Sequence, residues 1–287
     1  MSELTLPARP APPLVGCRRW AGMTLDRPRV MGILNLTPDS FSDGGAHPTP
    51  AAAIAAALAM AEAGADMIDL GGESTRPGAA PVAPEEQLRR VLPVLVPLAR
   101  AGLCLSIDTR DATVMRAALD AGAAIVNDIS ALGDPDAAKL LAARGTPVIL
   151  MHLRGTPATM AAHAIYADIG AEVAAELADR VAVALAAGIL PEAICLDPGI
   201  GFAKRPEHSL ALLRDLSKLT ALGYPLLVGV SRKGFLGRLT GVTNPAARDP
   251  ASLAAGLHAL DHGAVILRVH NVSATIQVLK VRAALRA

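Results

Sequence analysis

A chain of 287 residues is long enough for one (β/α)8 barrel or for two smaller domains. Hydrophobic residues make up 52% of it, much of that alanine, which suits helices packed closely on a sheet around a large core. The 27 Lys and Arg nearly cancel the 26 Asp and Glu, leaving a net charge of +1, so there is no electrostatic case for nucleic acid or an anionic membrane as partner, and an anionic ligand must be held by local groups.

Residues 1–29 read as a leader, with prolines at 7, 10, 12 and 13 and no basic-then-apolar signal pattern. This segment is expected either to cover the floor of the fold or to be partly disordered. The first strand is expected at 30–34 and ends in Asn35, before a long connection over 35–49 and a helix over 50–63. The second, 67–70, carries Asp69 and opens into 71–84, where Gly71-Gly72-Glu73-Ser74-Thr75-Arg76 precede a helix over 84–100. The third, 103–107, ends in Asp108-Thr109 and is followed by a helix over 111–121. The fourth, 125–127, ends in Asn127-Asp128 before a helix over 135–143. The fifth, 147–150, leads to His152 and a helix over 168–188, and the sixth, 194–196, to Asp197 and a helix over 207–221. The seventh, 226–230, delivers Ser231-Arg232-Lys233 into a long connection, 231–249, and a helix over 249–261. The eighth, 265–269, carries Arg268, with His270 and a helix over 273–285 beyond it.

Eight short apolar runs alternating with eight helices predict an α/β chain folded as a single (β/α)8 TIM barrel over 30–287. Strands buried on both faces read as continuous apolar runs, as these do. Ala63-Gly64-Ala65, Ala121-Gly122-Ala123 and His262-Gly263-Ala264 place a glycine where a helix ends left-handed before the next strand. No G-x-G-x-x-G follows the first strand, which disfavours an open dinucleotide-binding sheet. The long connections after strands one, two and seven fall on the face where barrels place their chemistry, and the first two are candidate lids.

Every strand thus delivers polar side chains to one rim. Helix capping accounts for Asp, Ser and Asn, but Lys and Arg are poor N-caps. Asp108, Asn127 and Asp197 supply acceptors and an amide toward the barrel axis, suited to a flat heterocycle with several N–H groups. Lys233 and Arg268 add donors for a carbonyl or ring nitrogen. Arg76, His270 and Asn35 could bind a diphosphate, with or without Mg²⁺. There is no P-loop, no Ser-His-Asp or Cys-His elbow and no HExxH. Cys17, Cys104 and Cys195 are isolated, with no zinc or disulfide spacing, which fits a reducing cytoplasm. No membrane span is expected. Aromatic residues, at 2%, are too few for base-stacking platforms.

Two runs carry a resemblance. Met31-Gly32-Ile33-Leu34-Asn35-Leu36-Thr37-Pro38-Asp39-Ser40-Phe41-Ser42-Asp43-Gly44-Gly45 and Asp69-Leu70-Gly71-Gly72-Glu73-Ser74-Thr75-Arg76-Pro77-Gly78 resemble the signatures of dihydropteroate synthases. Ser106-Ile107-Asp108-Thr109, Asn127-Asp128-Ile129-Ser130, Met151-His152, Leu196-Asp197-Pro198-Gly199-Ile200-Gly201-Phe202, Val230-Ser231-Arg232-Lys233 and Arg268-Val269-His270 follow in family order over about residues 28–283. The resemblance implies an enzyme of folate biosynthesis that condenses 6-hydroxymethyl-7,8-dihydropterin diphosphate with p-aminobenzoate, releasing diphosphate. It implies pterin contacts and catalysis by Asp108, Asp197, Lys233 and Arg268, with Asn127 also on the pterin. Asn35, Thr75, Arg76 and His270 match diphosphate-side positions, Asn35 also meeting Mg²⁺. Pro77, Phe202, Ser231 and Lys233 match the surroundings of p-aminobenzoate. A homodimer is also implied, as is a dissociative mechanism in which diphosphate leaves a pterin-methylene cation for the arylamine to attack.

Departures from the family pattern are Asn271 in place of a frequent Asp, Ile200 in place of a common Phe, Arg110 and Gly133. Asp128 and His152 are expected to be structural, and Glu73 to brace Arg76. Phe41 could cover the arylamine or anchor its loop. The rivals are a pterin-binding methyltransferase domain, which would not need the diphosphate-side set, and a catalytically silent homologue.

Overall fold

Eight short parallel strands ring a common axis in the computed structural model, which describes residues 19–37, 49–76 and 78–286. They are β1 (Arg29–Asn35), β2 (Met67–Gly71), β3 (Leu105–Asp108), β4 (Ile125–Asp128), β5 (Val148–Met151), β6 (Ile194–Asp197), β7 (Leu227–Val228) and β8 (Ile266–Val269). Each of the first six pairs with its successor except β6, which meets the seventh through a bridge between Leu196 and Leu226. β8 pairs with β7 on one side and returns to β1 on the other, Leu267 opposite Val30, so the ring closes as the expected (β/α)8 barrel.

Around it lie α1 (Pro50–Glu62), α2 (Pro84–Arg100), α3 (Ala112–Asp120), α4 (Pro135–Arg144), α5 (Ile169–Ala186), α6 (Pro206–Arg214), α7 (Leu216–Thr220), α8 (Gly234–Thr240), α9 (Asp249–Asp261) and α10 (Val272–Ala284). Gly64, Gly122 and Gly263 all have positive φ just past a helix end, as their sequence context predicts.

The two-residue period of a strand decides where the site can be. Val30, Leu34, Ile68, Leu70, Ile107, Val126, Leu150 and Leu196 point outward into one core shared with the helices. Met31, Met67, Ile125, Ile149, Cys195, Leu227 and Ile266 point inward and form a second core inside the barrel. Two residues farther along the same inward face stand Asp69, Asn127, Asp197 and Arg268. The apolar floor and the polar mouth are therefore one alternation, read at successive heights.

A hairpin of Arg19–Trp20 and Met23–Thr24 closes the floor. Trp20 is buried in the inner core, and its indole N–H donates to the Ala193 carbonyl at 3.0 Å. That apolar ring satisfies its one polar group while filling the barrel's open end. Residues 1–18 of the expected leader lie outside the described residues.

Three elements differ from expectation. The seventh strand is Leu227–Val228 and not 226–230, because Gly229 brings no side chain to the ladder and Val230 already belongs to the turn. The helix expected over 207–221 breaks at Asp215 (φ −97°, ψ 13°), and that break lets Leu216 and Leu219 both reach the core. The connection over 231–249 is not open loop: it holds α8, ended by the left-handed Gly241, and a 3-10 turn at Pro245–Arg248. Most of the 35–49 connection, Phe41 included, lies outside the described residues.

Candidate active site

The inward residues at the strand ends converge on a cavity at the barrel mouth. Asp108, Asn127, Asp197, Lys233 and Arg268 line it, with Thr75, Phe202, Met151, Ile129, Ile200, Gly199 and Gly229. Helix capping does not consume this set. The caps are made further on, by Asp111 for α3, Asp134 for α4, Asp168 for α5 and Asn271 for α10.

One guanidinium organises one edge of the cavity. Arg268 Nε donates to Asp69 Oδ2 at 2.6 Å, and its terminal nitrogen donates to Asp108 Oδ2 at 2.8 Å. Asn127 Nδ2 donates to the same Asp69 oxygen at 2.9 Å, which leaves Asn127 Oδ1 and Asp69 Oδ1 buried without a protein partner. Buried acceptors left open in this way want N–H donors from a ligand. Burial pushes the Asp108 carboxyl up to about 7; Arg268 opposes the rise and Asp69 adds to it. Two carboxylates share one cation here, so one of them carries the strain. Burial would lower the Arg268 guanidinium, but Asp69 and Asp108 outweigh it and hold it above its ordinary value. Asp69, which sequence alone leaves open as a partner for backbone, is the hub of this arrangement. Its signal was its place on the inward face, two residues beyond Met67.

On the opposite wall Asp197 is buried and accepts from the Gly199 backbone N–H at 2.7 Å. Its carboxyl is raised by burial against the pull of that N–H, Lys233 and Arg268. Gly199 has φ +62°, and a Cβ there would overlap the His152 carbonyl oxygen, so only glycine lets this turn form. Lys233 is lowered to about 8 by burial, and its ammonium lies 4.1 Å from the centre of the Phe202 ring.

The residues that the resemblance assigns to the diphosphate side are more dispersed. Asn35 ends β1 with its amide oxygen beside Gly71, one strand from Asp108. Thr75 lines the cavity, whereas Arg76 is exposed and outside the lining. His270 Nδ1 meets Ser231 Oγ at 2.9 Å, and the His270 backbone N–H donates to the same oxygen at 3.1 Å. The serine proton is therefore free to go to Nδ1, leaving Nε2–H as a donor. Burial, with Arg232, Arg268 and Lys233 nearby, holds this imidazole neutral, down at about 3. Ser231 thus reaches His270 and is not among the cavity lining; Pro77 lies outside the described residues.

Glu73 does not brace Arg76. It pairs with Arg110 at 3.1 Å and accepts from the Val82 N–H at 2.9 Å, because the side chain turns toward the start of α3. Asp128 is structural as expected, accepting from the backbone N–H groups of Ser130 and Leu132, both at 2.7 Å. Asn271 donates to Asp249 Oδ2 at 2.8 Å and caps Ala274 N at 3.0 Å. Asp249 already takes Arg232 at 2.7 Å, so an amide at 271 can bond it where a second carboxylate would repel it. The structure offers no account of Gly133 beyond its contact with Ser130.

Residues 31–270 match the model of a family described as pterin binding enzyme. The chain is 50% identical over 260 residues to dihydropteroate synthase of Neisseria meningitidis serogroup C, covering 89% of this chain and 92% of that one. It superposes on Xanthomonas albilineans dihydropteroate synthase with 4-aminobenzoic acid at a TM-score of 0.87 and 49% identity, over 92% of this chain and 95% of that one. The Xanthomonas albilineans enzyme in complex with 7,8-dihydropteroate gives a TM-score of 0.83 and 46% identity, over 92% and 96%.

Proposed function

The chain belongs to the pterin-binding enzyme family, alongside the dihydropteroate synthases, and from that premise we propose that it joins 6-hydroxymethyl-7,8-dihydropterin diphosphate to p-aminobenzoate to give 7,8-dihydropteroate and diphosphate. The observation that carries this reading is the mouth itself: Asp69 and Asn127 with open acceptor oxygens, Asp108 and Asp197 ionisable, and Lys233 and Arg268 as donors around one cavity.

Asp108, Asn127 and Asp197 take the N–H groups of the pterin edge, and Lys233 and Arg268 donate to its carbonyl and ring nitrogen. As diphosphate departs, positive charge grows on the pterin methylene, and the two buried carboxylates stabilise it. The neutral arylamine is nucleophilic toward a cation, and the anilinium its attack forms is acidic enough to lose its proton to the released diphosphate or to water, so no strong base is needed. It enters beside Phe202 and Lys233. His270 donates Nε2–H, and Arg76 and Thr75 add donors, to the leaving diphosphate. Mg²⁺ fits this set only as an ion held largely by the substrate: among the described residues no three His, Cys, Asp or Glu gather, and Asn35 offers one amide oxygen. That is the ligand economy of Mg²⁺ on phosphate, and the ion supplies charge neutralisation on the leaving group. The same reading includes a cytoplasmic enzyme with free thiols at Cys104 and Cys195, and a homodimer supported by exposed Val281 on α10 and Leu285 at its C-terminal cap. Among the described residues no helix is long and apolar enough to cross a membrane.

The test is a coupled assay with both substrates and Mg²⁺, following dihydropteroate and diphosphate. Binding of pterin without product would favour a silent homologue, and a methyl-transfer assay would come next. The Asp108 carboxyl, raised to about 7, has to be ionised to accept from the pterin. Protonation as pH falls removes that acceptor, so kcat/KM for the pterin diphosphate is expected to drop about tenfold per unit below about pH 7. A profile that stays flat down to about pH 5.5 would exclude an essential Asp108 carboxylate with that raised value.

A further inference from the structure

Behind the Phe202 wall sits a lysine that none of these steps uses. Lys204 is buried, its ammonium 2.9 Å from the Phe202 carbonyl oxygen and 2.8 Å from His152 Nδ1. The ammonium has only protons to offer, so Nδ1 accepts and Nε2–H donates to Glu176 at 3.0 Å. Burial, with Lys204 and Arg154 close by, holds His152 neutral at about 4 despite Glu176. Glu176 in turn takes Arg154 at 2.9 Å, and Arg154 reaches the Ile165 carbonyl and lies over the Tyr166 ring. The β5–α5 connection is thus tied near both ends. Its Pro157 carbonyl accepts from the Gly78 N–H at 3.0 Å, two residues beyond Arg76. One polar chain, begun at Lys204, therefore holds two segments at the cavity: Phe202 itself and the stretch just after Thr75 and Arg76.

Resting on the synthase reading above, we propose that Lys204 is a positioning residue for the arylamine. It fixes the Phe202 backbone so that the ring stays under the Lys233 ammonium, and through His152, Glu176 and Arg154 it sets the β5–α5 connection against Gly78. The pterin side has its own hydrogen-bond anchors in Asp69 and the Gly199 N–H, and Lys204 reaches it only as a charge that helps to lower the Asp197 carboxyl, so loosening Lys204 moves one substrate's wall and leaves the other's hydrogen bonds in place. A buried ammonium is costly to keep, and burial lowers this one to about 7, so an apolar side chain would serve packing alone better.

Kinetics on the full chain test this, with Lys204→Met and, farther out on the partly exposed end of the same chain, Glu176→Gln. Lys204→Met is expected to raise KM for p-aminobenzoate about tenfold while the calorimetric Kd for 6-hydroxymethyl-7,8-dihydropterin stays within about twofold. Glu176→Gln should raise the same KM by about two- to fivefold, and Lys204→Arg should recover part of the loss. Both constants rising together, or neither moving, would overturn the proposal; should Lys204→Met fail to fold, Glu176→Gln decides on the same two readouts. Arylamine affinity is also measured by calorimetry on protein loaded with pterin and diphosphate. A parent protein without turnover would thereby sink the synthase reading and still report on Lys204, and a parent that binds no arylamine would overturn both.

Discussion

Asp197→Ala is expected to reduce kcat/KM by at least about a thousandfold, because it removes an acceptor for the pterin and a carboxylate facing the developing cation at once. The carboxylate is buried, held by the Gly199 N–H, and shares its wall with Lys233. Its removal leaves that ammonium with less compensation in a site where burial has already lowered it to about 8. Pterin affinity should weaken by about 1.5–3 kcal/mol, the range for a hydrogen bond to a charged group. Asp197→Asn keeps an oxygen for Gly199 and should fall between the two. Turnover and calorimetric titration of the pterin separate these effects. Retention of more than about a tenth of the parent kcat/KM would remove Asp197 from the mechanism.

Arg268→Met should be the most damaging change to the fold as well as to activity. The guanidinium bonds Asp69 and Asp108 together, and without it two buried carboxylates face each other uncompensated. Breaking a buried pair from one side costs about 3–5 kcal/mol. The pH sense follows from Asp108: its folded value of about 7 is above the ordinary 3.8, so its neutral form favours the fold and that contribution is lost as pH rises through 7. The variant's deficit should therefore be larger at about pH 8 than at about pH 6, and Asp69→Asn in the same chain should recover part of it. Urea unfolding at the two pH values measures this. An unchanged unfolding free energy at both would show that the pair is not under the strain its geometry implies.

Much of this was legible before any coordinates, and for a physical reason. A barrel strand alternates inward and outward, so Asp69, Asn127, Asp197 and Arg268 had to share an interior with the apolar residues two positions earlier, and Asp108 with Ser106. Lys233 and Phe202 come from loops, and their meeting could be anticipated from family resemblance alone. What sequence could not supply was the pairing among neighbours of like type. Asp69 and Asp108 are equivalent on paper, yet one takes both Arg268 and Asn127 and the other, bonded to Arg268, faces the cavity. Glu73 turned to Arg110 because the direction of a loop side chain depends on where the next helix starts. Lys204 gave no signal beyond its place after Gly201-Phe202-Ala203, since a lysine in a loop reads as solvated until its burial is seen. The helix α8 was hidden by the glycines at its two ends, which read as loop.

The hydrogen bond from Trp20 to Ala193 also orders events in time. Its two ends are 173 positions apart, so at about 5–20 residues per second a ribosome needs roughly 10–35 s to deliver the second after the first. Through that interval the indole has no carbonyl to meet and the inner ring of Met31, Met67, Ile125 and Ile149 is only partly assembled. The hairpin of Arg19–Trp20 and Met23–Thr24, translated ahead of every barrel strand, is thus among the last of the described elements to be seated, and a nascent barrel stays open at its base, apolar and unsealed, until most of its length has been made.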